Sequence, residues 1–254
     1  MSEYTQLVNG LEELNLPKMR EGLDPLIDLV NQGEISFTKA MAELVESECA
    51  FKRERAQFAN VHKANFPFLK TLEDFDFSFQ PSISKAEIME FKSLGFVERN
   101  DNIVFVGSSG VGKTHLATSI GIECAKKRYS TYFITFEKLI TQLKNALDEN
   151  RLEARLKLFS GYKVLIIDEL GYMPIDNDSS NLFFQLIARR YEKHSTIVTT
   201  NMSFSKWPEV FGSPTLANAV IDRLLHHSSV ISIKGPSYRL KDKRAALESE
   251  RSEN

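Results

Sequence analysis

The stretch GSSGVGKT, Gly107 to Thr114, constrains this chain more than any other part of it. Gly107 and Gly112 enclose four residues and are followed by Lys113 and Thr114. The loop comes directly after an apolar run, IVFVG (Ile103 to Gly107), and opens a helical stretch. That order of strand, glycine-rich turn and helix aims backbone N–H groups and the positive end of a helix at one point, which suits phosphate. Ser108, Ser109, Gly110 and Val111 form the turn, and His115 follows it. Lys113 is expected to neutralise the β and γ oxygens of a nucleoside triphosphate, and the Thr114 hydroxyl to ligate Mg²⁺.

Around this loop the pattern alternates. Apolar runs TYFITF (Thr131 to Phe136), KVLIIDE (Lys163 to Glu169), STIVTTN (Ser195 to Asn201) and SVISI (Ser229 to Ile233) join IVFVG as expected strands. Helical stretches separate the first four, so the expected class is α/β, with a parallel sheet covered on both faces. Ligands in such sheets gather at the C-terminal ends of the strands. There Asp168 is expected to hold the Mg²⁺ shell and Glu169 to polarise an attacking water. Asn201, at the tip of a strand lying between the other two motifs, can reach the γ-phosphate or that water; it is also a residue that favours the turn leaving a strand.

In NAVIDRLLHHS, Val220, Ile221, Leu224 and Leu225 make one apolar helix face, so Arg223 is expected to project outward beside Asp222. It is then either a local ion-pairing residue or a finger that reaches the γ-phosphate of a neighbouring subunit. His226 and His227 read as surface or capping residues, because no carboxylate or cysteine stands at metal-ligand spacing beside them. Arg239, after the last strand, offers a second cation that could return to the same nucleotide, or a surface role.

Before the sheet, residues 1–69 read as helices. Leu7, Leu11 and Leu14 form one stripe, Met19 to Val30 a second, and a third helix starts at a Ser36 cap. Residues 70–98 are aromatic, acidic and proline-containing, and are expected to pack on the core domain at 99–245; a charged tail, 246–254, is expected to be disordered. With 32 basic and 34 acidic side chains, net charge −2, no global field attracts nucleic acid. A DNA contact would need a local patch, and Lys52, Arg53, Arg55 and Lys63 supply a candidate that could equally be a solvated helix face. Cys49 and Cys124 have no metal-ligand spacing and are expected to be buried thiols. No run of about 18 apolar residues is present, so a cytoplasmic chain with no membrane span is expected.

GSSGVGKTHLA, VLIIDELGY, TTN, DRLLHHS and SYRLK, preceded by FPFLKTLEDFDF, together resemble the AAA+ ATPases of the IstB and DnaC group, above all the IstB-type helper proteins of insertion sequences. The resemblance covers most of the chain, including LNLPKMREGL near the start. It implies an AAA+ P-loop core with a five-stranded parallel sheet, preceded by a small all-helical domain. Gly107 to Thr114 would then be Walker A, Asp168 and Glu169 Walker B, Asn201 sensor 1, Arg223 the finger donated in trans and Arg239 the sensor 2 arginine. It further implies ATP and Mg²⁺ as cofactors and a homo-oligomer with nucleotide at its subunit interfaces. The implied partners are double-stranded DNA, bound with little sequence preference, and a cognate transposase that the chain helps. A replicative helicase loader of the DnaC type uses the same core and is the alternative. A small-molecule kinase is a third reading, one that leaves Arg223 and the basic cluster without a role.

Overall fold

The structure is a computed structural model that describes residues 1–241. The expected tail, 246–254, and the end of the expected core domain lie outside the described residues. The chain divides after Ala59 into two units.

In the first unit, α1 (Glu3–Glu13) is capped by the Ser2 hydroxyl, which accepts from the Thr5 N–H. Asn15, in the left-handed region at φ 55°, turns the chain out of it. Pro17 opens α2 (Pro17–Glu21) at a position where its missing N–H costs nothing. The stripe expected as one helix from Met19 to Val30 is interrupted at Gly22, which caps both α2 and α3 (Leu23–Asn31). A side chain at Gly22 would come within 3.1 Å of Leu44. Close helix approach therefore overrides the continuous apolar stripe. α4 (Phe37–Lys63), whose residues from Asn60 on belong to the second unit, starts at Ser36, whose hydroxyl accepts from Lys39 N at 3.2 Å, as the sequence led us to expect. Leu11, Leu23 and Leu44 form the small core. α2 has no side-chain cap of its own, but the nearly buried Glu48 of α4 accepts from the N–H groups of Lys18 (2.7 Å) and Met19 (3.2 Å). Cys49, expected to be buried, is exposed, whereas Cys124 in the second unit is buried and its thiol pKa is raised by desolvation. Cys49 stands one residue beyond Glu48, on a helix whose inward face is already taken.

In the second unit, short helices α5 (Lys85–Glu90) and α6 (Gly95–Arg99) lead into the sheet. Its order of elements is β1 (Asn102–Gly107), α7 (Lys113–Lys126), β2 (Thr131–Thr135), α8 (Phe136–Asp148), α9 (Leu152–Gly161), β3 (Val164–Leu170), α10 (Asn177–Arg190), β4 (Ser195–Thr200), α11 (Trp207–Phe211), α12 (Pro214–Leu225) and β5 (Ser228–Ile233). The five strands are all parallel, in the spatial order β2-β3-β4-β1-β5. β4 thus lies between β3 and β1, which places the acidic pair and the phosphate loop on either side of it. The period of two sends Leu165 and Ile167 of β3 into one apolar layer and Val164 and Ile166 into the other. Both faces are covered, and that is why these strands read as continuous apolar runs. Leu72, Phe75 and Ile83, from the aromatic stretch after residue 70, are buried in the second layer beside Val111 and Leu116. None of the described helices is long and apolar enough to cross a membrane.

Candidate nucleotide-binding site

The glycine-rich turn runs from the end of β1 to the start of α7, and its backbone needs the residues it has. Gly110 and Gly112 adopt φ +80° and +101°, a region that L side chains disfavour. A Cβ at Gly112 would stand 2.4 Å from the Phe75 ring, and one at Gly110 would stand 2.0 Å from the Ser237 hydroxyl. The loop is therefore packed on one side by the aromatic stretch and on another by the segment after β5, where Tyr238 N–H donates to the Gly110 carbonyl at 2.8 Å. Lys113 Nζ lies in the mouth of the loop and donates to the carbonyls of Gly107 (2.7 Å) and Ser108 (2.8 Å). Burial lowers its pKa, and Asp168 partly offsets that.

Asp168 is only 4% exposed at the end of β3. It accepts from the Thr114 hydroxyl at 3.0 Å and from the Thr199 hydroxyl of β4 at 2.6 Å. Burial raises its pKa, while the Thr199 and Thr114 hydroxyls and then Lys113 and Arg239 pull it back. The next residue, Glu169, has left-handed backbone (φ 62°), and the β3–β4 register shifts between Ile167 and Leu170. Such an irregularity re-aims a side chain: Glu169 is exposed, and it faces the cleft although its neighbours on both sides are buried. Its N–H donates to the Thr199 hydroxyl at 3.0 Å. One threonine thus holds the carboxylate of Asp168 and the backbone of Glu169 together.

A cleft of about 280 Å³ is lined by Ser109 to His115, Glu169, Asn201 and Arg239. Those residues come from three central strands and the segment after β5; Gly107, Ser108 and Asp168, also expected at the site, are not part of the lining. His115 is oriented by donating from Nε2 to the Thr71 carbonyl (2.9 Å), and burial lowers its pKa while that hydrogen bond partly offsets the shift. The cleft also takes in residues that sequence reading missed: Thr199, Phe75, Gln80 and Tyr238. Only the aromatic run that contains Phe75 gave any signal of packing.

Arg223 is not among the lining residues. On α12, its guanidinium lies 4.8 Å from the centre of the Phe184 ring of α10 and donates to the Ala219 carbonyl at 2.9 Å. This is a half-buried resting place and not the outward projection beside Asp222 expected from the sequence; the aromatic surface of α10 accounts for it. In the first unit Lys52, Arg53 and Arg55 are exposed on α4, with Lys52 3.9 Å from Glu48, Arg53 paired with Glu46, and Arg55 over the Phe51 ring. Lys63 is exposed in the second unit.

The sheet order, the phosphate loop on β1 and the acidic pair on the neighbouring strand but one define an AAA+ P-loop protein. The model of the IstB-like ATP binding protein family matches residues 9–246, and the chain belongs to that family. A protein of insertion sequence IS232 from Bacillus thuringiensis subsp. berliner, named for ATP binding, is 52% identical over 241 residues, which is 95% of this chain and 96% of the relative. The corresponding protein of IS5376 from Geobacillus stearothermophilus is 42% identical over 94% of this chain and 95% of its own. Among solved structures, that of the DnaC helicase loader is similar over 68% of this chain and 98% of its own, with a TM-score of 0.54 and 28% identity.

Proposed function

We propose that this chain hydrolyses ATP and uses the nucleotide to assemble copies of itself on duplex DNA, where it assists the transposase of an insertion sequence. The convergence of Lys113, Thr114, Glu169 and Asn201 on one cleft, with Asp168 buried behind it and accepting from the Thr114 hydroxyl, carries the hydrolytic part of this reading. Family membership, with relatives that belong to insertion sequences, supports the rest. A metabolic kinase would have no use for Arg223 or for the cations of α4. The DnaC likeness supports the same core in a loader, but the family match extends through most of the helical first unit and favours the insertion-sequence reading.

The donor set fits the group it would hold. The Thr114 hydroxyl and the Asp168 carboxylate are oxygen donors within reach of each other, as Mg²⁺ prefers. When bound, Mg²⁺ would offset negative charge on the β and γ oxygens. The chain's own residues do the remainder. N–H groups of the loop and Lys113 hold the phosphates, and Asn201 orients a water. Glu169 accepts a proton from that water as its oxygen attacks the γ-phosphorus and ADP departs. Arg223 of a neighbouring copy neutralises charge developing on the transferred group, and Arg239 reports on the same phosphates. Lys52, Arg53, Arg55 and Lys63 contact DNA phosphates; a few such cations per copy add up in an oligomer to steep salt dependence.

The test is the mass in solution of the Glu169→Gln protein with ATP, Mg²⁺ and a duplex fragment of arbitrary sequence. A large assembly that forms only with all three, and weakens with salt, is the expected result. A nucleotide-bound monomer indifferent to DNA would end the proposal.

Thr199 gives a sharper test of the chemistry. Thr199→Val keeps the shape but strips a bond from Asp168 and leaves the Glu169 N–H unpaired, a loss of about 1–3 kcal/mol. Turnover should fall roughly 10- to 100-fold with ATP affinity changed far less, and Thr199→Ser should restore most of it. Equal losses in affinity and turnover would instead mark a binding role.

A further inference from the structure

At the edge of the sheet opposite the nucleotide cleft, three ligand-bearing side chains converge. His226 and His227 directly follow α12, and Glu192 sits in the turn that follows α10. Both histidines are exposed and His226 caps α12, as expected, but sequence spacing hides a third partner: Glu192 precedes them by more than thirty residues and is brought to them by the fold. One ligand atom from each residue lies within 4.8 Å of the others, and all three side chains are exposed. Glu192 Oε1 is 3.8 Å from His226 Nδ1 and 3.7 Å from His227 Nε2.

We propose that Glu192, His226 and His227 form a binding site for a divalent transition metal of the zinc class. A tetrahedral ion with bonds of about 2.0–2.1 Å needs its ligand atoms roughly 3.3–3.5 Å apart. The observed separations from Glu192 exceed that by only a few tenths of an ångström. Two imidazole nitrogens and one carboxylate suit zinc, cobalt, nickel or copper, whereas Mg²⁺ prefers oxygen alone. The site would therefore not compete with the nucleotide's own metal. Three ligands leave a fourth position open to water or to a group from another molecule.

The main chain on both sides is fixed. The His227 carbonyl accepts from Asn102 N at 2.7 Å, at the start of the β1–β5 ladder. Glu192 is held in left-handed backbone at φ 59°, and its carbonyl accepts from Asn100 Nδ2 at 3.0 Å. The side chains thus start from anchored positions, and only their rotamers must adjust. The Tyr191 hydroxyl competes: it is hydrogen-bonded to His226 Nδ1 at 2.7 Å. Whichever atom carries the proton, a metal on Nδ1 displaces that bond. A bound ion would tie the end of α10 to the end of α12, one helical turn beyond Arg223.

Zinc alone, titrated into the untagged 254-residue chain with excess Mg²⁺ and no nucleotide, and read by competition with a chromogenic chelator, tests this. One zinc per chain is expected, with affinity about micromolar or tighter and weakened at least about tenfold in His227→Ala and in Glu192→Ala. Tyr191→Phe removes the competing bond and should bind a few times more tightly. Cobalt should give the visible bands of a four-coordinate ion. These residues are exposed, so ATP binding, which reports folding of the other edge, should be unchanged in each variant. No stoichiometric zinc, or an affinity that neither His227→Ala nor Glu192→Ala alters, would overturn the proposal.

Discussion

Lys113→Ala is expected to weaken ATP binding by about 100-fold or more, measured by equilibrium titration with a fluorescent ATP analogue. Charge-assisted hydrogen bonds to phosphate are worth about 1.5–3 kcal/mol each, and Lys113 can offer more than one. The side chain lies against the carbonyls of Gly107 and Ser108, so its position is set by the loop. Arg239 lines the same cleft but comes from the segment after β5. Fold and thermal stability should hardly change, because burial already disfavours the charged form of Lys113. Affinity left intact would mean that the phosphates do not sit in this loop.

The second large effect is a separation of binding from hydrolysis. Arg223→Ala should keep ATP affinity, since its guanidinium rests on Phe184 and not in its own chain's cleft. Its turnover should nonetheless fall by about 10³ to 10⁵ if the group acts on a neighbour's nucleotide. Glu169→Gln should lose turnover for a different reason, because the amide cannot accept the water's proton. Mixing the two inactive proteins then joins an intact Glu169 cleft to an intact Arg223 at some interfaces, and part of the activity should return. Failure at every mixing ratio would confine Arg223 to its perch on α10.

What could be read from the sequence follows a physical line. The five strands and the loop between β1 and α7 are local patterns, in which a few neighbouring residues carry the information: an apolar run, paired glycines, a lysine. Fold class followed from them, and so did the place of β4 between the two motif-bearing strands; the positions of β2 and β5 at the two edges did not. What was not legible depends on distant parts of the chain meeting. Thr199 looks like any threonine in a buried strand until register sets it beside Asp168. Phe75 contacts Gly112 only because the aromatic stretch folds back onto α7. Gly22 breaks a stripe that periodicity reads as continuous, for the sake of its approach to Leu44. Glu192 meets His226 and His227 through the turn after α10, which no spacing rule anticipates.

The left-handed backbone at Glu169 bears on how this protein could be improved or ruined by design. A residue with a β-carbon in that conformation gives up about 1 kcal/mol that glycine would keep. A procedure that ranks substitutions by folding stability would therefore favour glycine at 169, next but one to the glycine already present at 171. It would produce a sturdier molecule with an empty place where the carboxylate now reaches into the cleft. Stability screens on this protein should accordingly hold position 169 fixed, or they will select for the loss of what the strain maintains.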